Sequence, residues 1–566
     1  MGRLSRMAPP LLRKLMALLL AVAPAAAPAQ VRSDDGTPGP DYWQQQVDFD
    51  MEVTLDPAGG SLAGSALMRY HNRAPVALPE IWLQLDQNRF RAHSLSMRRS
   101  RPAMDESARA YLREAAPGIR ALRIWDRQGN PIAFEVRDTY AKLRLPEALA
   151  PGDSVQLRLQ WQLNLLDRNQ IRARSGYEQL PDGSRIVLAA QWYPRPAVFH
   201  DDGWHLAPFL GQGEFSLEFG DYQVAVTVPA SHVVAATGEL TNAEAVLTAE
   251  ERQRLRLAQT GAAQRISAPG RKGGGSRRWT FRADRVRDFA FVSSAALYWD
   301  ASSVGLGERR VLAQAFYPAA GRHLWEPFGL DAIAHTLREF SARLFPYPWP
   351  VASMVNVGGL GMEYPMLGTN AERGRGDVAR WDMIGGVIHE VGHNWFPMSV
   401  NSNERAYAWM DEGLVCFVEH HVEKAWDEDF LVIYGDPDNL SRYRGQPHQQ
   451  PLMTPADELT HRIDNAYDYA AAVLNVLRRD VLGPARFDAA LAHYAKAWRF
   501  KRATATDFFR AMAAASGADL DAFWQEWFYR TQSAAEGAGA DAAGLPPKSV
   551  PTDRIQPLDE GDHGAG

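Results

Sequence analysis

His389 and His393 stand four residues apart with Glu390 between them, in the run Gly385-Gly386-Val387-Ile388-His389-Glu390-Val391-Gly392-His393. On a helix, that spacing puts both imidazoles on one face, about one turn apart. It is the H-E-x-x-H arrangement, in which two histidines hold a zinc ion and the glutamate stays free to act as a base. Two imidazoles alone hold zinc weakly. A catalytic site takes three protein ligands and keeps a further position open. Glu412, in Trp409-Met410-Asp411-Glu412-Gly413, is the candidate third ligand, with eighteen residues between it and His393. That interval is room for one helix to end and a second to return. The chemistry such a set permits is hydrolysis by an activated water, with Glu390 carrying the proton.

The neighbouring residues predict the helices that position these side chains. Met383, Ile384, Val387 and Ile388 supply an apolar stripe before His389, and Trp395-Phe396 make an aromatic exit. Glu419 lies seven residues after Glu412, two turns along the same face, where it can accept a proton from a ligand histidine's distal nitrogen. Asp411 and Asn394 are further candidates for that supporting role. Cys416 is the only cysteine, so no internal disulfide forms. Its place one turn after Glu412 reads as a small buried apolar side chain.

HEVGHNW followed by WMDEG resembles the central signature of the M1 zinc aminopeptidases of the gluzincin clan. The resemblance implies one zinc per chain on His389, His393 and Glu412, with Glu390 as the base. It also implies peptide substrates with a free N-terminus. Gly361, Met362 and Glu363, with Glu363 placed 26 residues before His389, resemble the family's G-x-M-E-N element. Leu360 stands where Gly is usual and Tyr364 where Asn is. By resemblance Glu363 pairs with the substrate's α-amine, and the glycines let a substrate backbone approach an edge strand. Gln191, in Ala190-Gln191-Trp192-Tyr193-Pro194-Arg195, corresponds by position to a polar residue that helps hold the amine. Tyr467 corresponds to the tyrosine that donates to the oxyanion. Tyr469 and Ala470 replace the usual Lys and Gly of that element, which leaves Tyr469 as a rival donor. There is no space for the long helical-repeat domain of many M1 enzymes, so a more open cleft is expected.

The chain has 566 residues and a net charge of -6. It is too long for one core and carries no basic block beyond Arg271-Lys272 and Arg277-Arg278, which excludes a nucleic-acid partner. Residues 1–29 read as a secretory signal, with Arg3, Arg6, Arg13 and Lys14 before an apolar run and Ala27-Pro28-Ala29 at the cleavage site. Export to the periplasm or the medium is expected, with no stable membrane anchor after cleavage. Residues 41–304 alternate apolar and polar in short runs, for example Val47 to Val53, Glu80 to Leu85 and Val155 to Trp161, separated by turns. Residues 98–117 are expected to be a surface excursion, and Glu250 to Gly275 a mobile loop. From 305 the pattern becomes strand, helix (Arg322 to Leu344) and strand, followed by helical segments to 531. Residues 532–566 read as a disordered tail.

The expected fold is therefore α+β and multidomain. An N-terminal β-sheet-rich sandwich domain precedes a thermolysin-like α/β zinc peptidase domain with C-terminal helices. Two other functions fit parts of this pattern. One is a zinc endopeptidase sharing the thermolysin-like module. The other is a catalytically silent binding or scaffolding member of the fold.

Overall fold

The structure is a computed structural model that describes residues 30–100 and 103–532. The expected signal segment, 1–29, and all but the first residue of the expected tail lie outside the described residues.

The N-terminal part is built on a seven-stranded sheet. Its strands run, edge to edge, Glu239–Leu240, Ser276–Val286, Gly220–Pro229, Gln46–Asp56, Ser61–His71, Ser154–Asn164 and Ile119–Trp125. Strand Gln46–Asp56 shows why: Val47, Phe49, Met51, Val53 and Leu55 are all buried, while most intervening residues face solvent. That is the period-two pattern of a sheet with one wet face. The strand pairs antiparallel with Ser61–His71 but parallel with Gly220–Pro229, which closes a loop of well over a hundred residues. Two four-stranded sheets cover the apolar face, one centred on Leu78–Gln84 and Tyr140–Leu149, the other on Phe291–Ser294 and Arg185–Ala189. Buried indoles stitch the layers: Trp161 donates to the Trp192 carbonyl at 2.8 Å, and Trp192 to that of Phe289 at 2.9 Å.

The catalytic part carries a six-stranded mixed sheet in the order Gln264–Ser267, Tyr298–Leu306, Arg309–Tyr317, Val351–Asn356, Leu367–Asn370, Met362–Tyr364. Helices Arg322–Arg343 and Asp377–Gly392 pack against it and against each other. Met362–Tyr364 is an edge strand, as the glycine-rich run before it predicts. The helix Asp377–Gly392 carries three glycines, each costing about 1 kcal/mol relative to alanine in a helix. Gly392 shows the return on that cost, because a Cβ there would lie 2.5 Å from the Phe340 ring. The two helices meet closer than any larger residue allows. Helices Leu414–Trp426, Ala470–Val476, Pro484–Trp498 and Ala505–Ser516 complete the domain, with Trp409, Phe508, Phe509 and Phe528 packed ring to ring. Among the described residues no helix is long and apolar enough to cross a membrane.

Two expectations are corrected. The stretch from Glu250 to Gly275 is not a mobile loop. Helix Ala249–Gln259 begins at a reciprocal cap between Thr248 and Glu251, and strand Gln264–Ser267 follows it into the catalytic sheet. The expected boundary between 304 and 305 falls inside strand Tyr298–Leu306, whose partners are all catalytic-sheet strands. The two parts are joined by buried charge. Arg287 pairs with Glu404 and donates to Asn401 Oδ1 at 2.6 Å, and Arg405 reaches Asp86 at 3.1 Å.

Candidate metal centre

Helix Asp377–Gly392 ends at His393, so His389 and His393 face the same way. Glu412 comes from the turn Trp409–Gly413 that feeds the next helix. Three atoms converge: His389 Nε2 and His393 Nε2 are 3.0 Å apart, and Glu412 Oε2 is 3.3 Å from each. A tetrahedral ion with bonds of about 2.0–2.1 Å holds its ligand atoms roughly 3.3–3.4 Å apart, so this triangle fits zinc. Glu412 Oε2 is buried and has no hydrogen-bond partner, as a ligand oxygen should.

The rear of each ligand is held. His389 Nδ1 lies 2.8 Å from Glu419 Oε2, where sequence spacing placed that carboxylate. His393 Nδ1 faces the Phe396 carbonyl at 2.9 Å and Asp411 Oδ1 at 3.1 Å. These contacts fix the Nδ1–H tautomers and aim both Nε2 lone pairs at the shared point. Asn394 instead accepts from the Met366 amide at 2.8 Å and takes no part. Cys416 Sγ approaches His389 at 3.8 Å on its Nδ1 side and is fully buried, in keeping with a packing role.

Glu412 Oε1 accepts from the Tyr467 hydroxyl and, at 2.7 Å, from Arg462 Nη2. Burial alone would raise the Glu412 carboxyl, but the two neighbouring histidines and the charge of Arg462 hold it well below the usual range. Tyr467 stacks on His389 with ring centres 5.9 Å apart. Tyr469 belongs to a separate aromatic group with Tyr443 and Trp527. Of the two tyrosines, Tyr467 is the one that touches the candidate ligand group.

Glu390 is buried, and burial pushes its carboxyl up to about 8 against the lowering by the flanking histidines. A Cβ on Gly361 would stand 2.6 Å from Glu390 Oε1, so the glycine leaves the space the carboxylate occupies. Glu363, 3% exposed, lies with Glu390 and His393 in one group and with Glu214, Glu404 and Asp411 in another, each within 4.8 Å. Desolvation, and then the charge of Glu214, push the Glu363 carboxyl well up. Glu363 Oε1 and both Asp411 oxygens are buried without a hydrogen-bond partner. Met362 is buried in the edge strand beside Glu363.

Gln191 is placed differently from the other expected residues. It is buried with a left-handed backbone, φ 51°, and its Nε2 has no partner. No hydrogen bond ties it to the ligand group among the described residues. Sequence reasoning missed Glu214, Arg174 and Arg462. Glu214 accepts from Arg174 at 3.0 Å and from Arg462 at 2.8 Å, so Arg462 bridges it to Glu412. Arg462 precedes Tyr467 by little more than a turn, but nothing in its local sequence distinguishes it from a solvated arginine.

Residues 345–527 match the family model of the peptidase family M1 domain. Glutamyl aminopeptidase of Sus scrofa is 30% identical over 153 residues, 25% of this chain and 16% of that protein. Aminopeptidase N of Lactococcus lactis subsp. lactis is 28% identical over 151 residues, 25% of this chain and 18% of that protein. The matched segment thus spans less than a fifth of those relatives' length. An M1 zinc metallopeptidase from Deinococcus radiodurans superposes with a TM-score of 0.58 at 20% identity, covering 92% of this chain and 99% of that one. A mutant of it bound to a Tyr-Ser-Ala substrate gives 0.57 at 19%, over 92% and 100%. The fold is that of the M1 zinc metallopeptidases.

Proposed function

We propose that this chain, an M1 domain joined to an N-terminal β part, is an exported zinc aminopeptidase that removes the first residue of peptides with a free N-terminus. One observation carries the exopeptidase reading. A buried Glu363 carboxylate oxygen without a hydrogen-bond partner lies beside Glu390 and His393, where a cationic donor can satisfy it. The ammonium of a free N-terminus is such a cation, and its charge favours the ionised form of Glu363 that burial disfavours.

Zinc, one per chain on His389, His393 and Glu412, would polarise the scissile carbonyl and bring the pKa of a bound water to about 7. Glu390 takes the proton of the attacking water and passes it to the leaving nitrogen, a transfer suited to a carboxyl raised toward neutrality. Tyr467 keeps its proton, because burial raises its hydroxyl well above the usual value, so it can turn from Glu412 Oε1 to donate to the developing oxyanion. Glu419 and Asp411 hold the imidazoles in orientation. Edge strand Met362–Tyr364 offers its free side to an extended peptide. Export rests on the pattern of residues 1–29 and is checked by fractionating cells that make the full chain.

The deciding experiment compares aminoacyl chromogenic substrates with their N-acetylated counterparts. Strong preference for the free amine, shrinking in Glu363→Ala with zinc retained, is the expected result. Equal cleavage of both by the unaltered protein refutes the proposal and favours an endopeptidase.

A further inference from the structure

A second group of metal-ligating side chains lies away from the catalytic set. His448, His461 and Asp464 place a nitrogen, a nitrogen and an oxygen within 4.8 Å of one another. The two imidazole rings are 4.1 Å apart between centroids, inclined by 34°. His461 Nδ1 is 3.4 Å from Asp464 Oδ2, close to the ligand–ligand edge of a tetrahedral ion. Both of the latter side chains are about half exposed, so water can complete a coordination sphere. Two imidazoles and one carboxylate select a borderline transition ion such as Zn²⁺ or Ni²⁺ over Ca²⁺ or Mg²⁺, which require an all-oxygen cage.

The position gives such an ion work to do. Residues 449–460 form a loop whose neck is tied by Gln450, which accepts from the Thr460 amide at 2.8 Å and donates to the Glu458 carbonyl at 3.1 Å. His448 and His461 stand just outside that neck, one on each limb. From the loop, Asp457 accepts from the amides of Gln212 and Gly213, which lead into Glu214. On the C-terminal limb, Arg462 follows His461 directly and reaches both Glu214 and Glu412.

We propose that His448, His461 and Asp464 bind a second divalent transition-metal ion that clips the neck of loop 449–460. The ion closes the loop at its base and restrains the segment from which Arg462 and Tyr467 project. This inference does not depend on the aminopeptidase reading, since its test reads metal binding rather than hydrolysis.

Protein carrying its catalytic zinc is titrated calorimetrically with Zn²⁺. The unaltered chain is expected to take up one further equivalent, which His461→Ala weakens at least about tenfold, the minimum for losing more than an outer contact. His448→Ala should do the same and Asp464→Asn less, with the tightly held first zinc unchanged in all three. In parallel, added Zn²⁺ should slow proteolytic cutting within 449–460 in the unaltered protein and not in His461→Ala. Absence of a second equivalent, or its undiminished uptake by both histidine variants, overturns the proposal.

Discussion

Arg462→Met removes one guanidinium that serves two buried carboxylates and keeps most of the side-chain volume. Its Nη2 lies 2.8 Å from Glu214 and 2.7 Å from Glu412. At an effective dielectric near 20, unit charges about 4 Å apart attract by about 4 kcal/mol, and desolvation of the arginine cancels part of that. Glu214 keeps Arg174 at 3.0 Å, and Glu412 keeps Tyr467, so neither carboxylate is orphaned. What is lost is the bridge that fixes Glu412 Oε1 and so aims Oε2. One charge-assisted hydrogen bond, about 2 kcal/mol, is the right scale. That corresponds to roughly thirtyfold in kcat/KM or in zinc affinity, within the range for partners that orient ligands. The assay pairs kcat/KM on a free-amine substrate with zinc retention against a competing chelator. Arg462→Lys, which restores charge without the fork, should recover only part. If Arg462→Met stays within twofold on both measures, the bridge does not position the ligand and the reasoning fails.

Glu390→Gln should retain zinc while hydrolysis falls by orders of magnitude, and parallel loss of metal and activity would show a ligand or structural role instead. Tyr467→Phe should lower kcat about a hundredfold or more at little change in KM, with Tyr469→Phe near normal; the reverse pattern would reassign the donor. Arg287→Met strands the fully buried Glu404 and should cost about 3–5 kcal/mol, read as a lower denaturant midpoint, whereas an unmoved midpoint would show the pair to be neutral. Burial lowers His232 to about 4 from an ordinary 6.5, so the folded state disfavours the imidazolium. Its contribution is intact above about pH 6.5 and is lost as pH falls toward 4, by about 3 kcal/mol in the limit. His232→Gln should flatten that part of the stability profile, and an identical acid limb in the variant would rule the histidine out.

Local spacing alone picked out the candidate ligands that the fold brings together. His389, His393 and Glu419 follow from helical periodicity, and Glu412 from the need for a third ligand. The strands likewise announce themselves through alternation, as in Val47 to Leu55. Arg462, Glu214 and Arg174 escaped because their meaning lies in contacts between residues far apart in the chain, and an arginine beside a tyrosine carries no signature of its own. The helix at 249–259 had a readable signal, Thr248 and Glu251 at capping-box spacing, but its polar composition and the glycine tract after it suggested a loop. Gln191 was placed by position alone, and a position matched to a family element does not by itself fix where the side chain goes.

The strand at Gln264–Ser267 leaves the chain between two strands of the seven-stranded sheet and yet pairs into the six-stranded one. The catalytic part is consequently not a transplantable cassette. A fragment cut at 305, or at the limits of the matched segment 345–527, would expose a bare sheet edge and leave behind Glu214. Such a fragment invites edge-to-edge association rather than independent folding. Anyone splitting or fusing this protein should treat the whole chain as the smallest exchangeable piece.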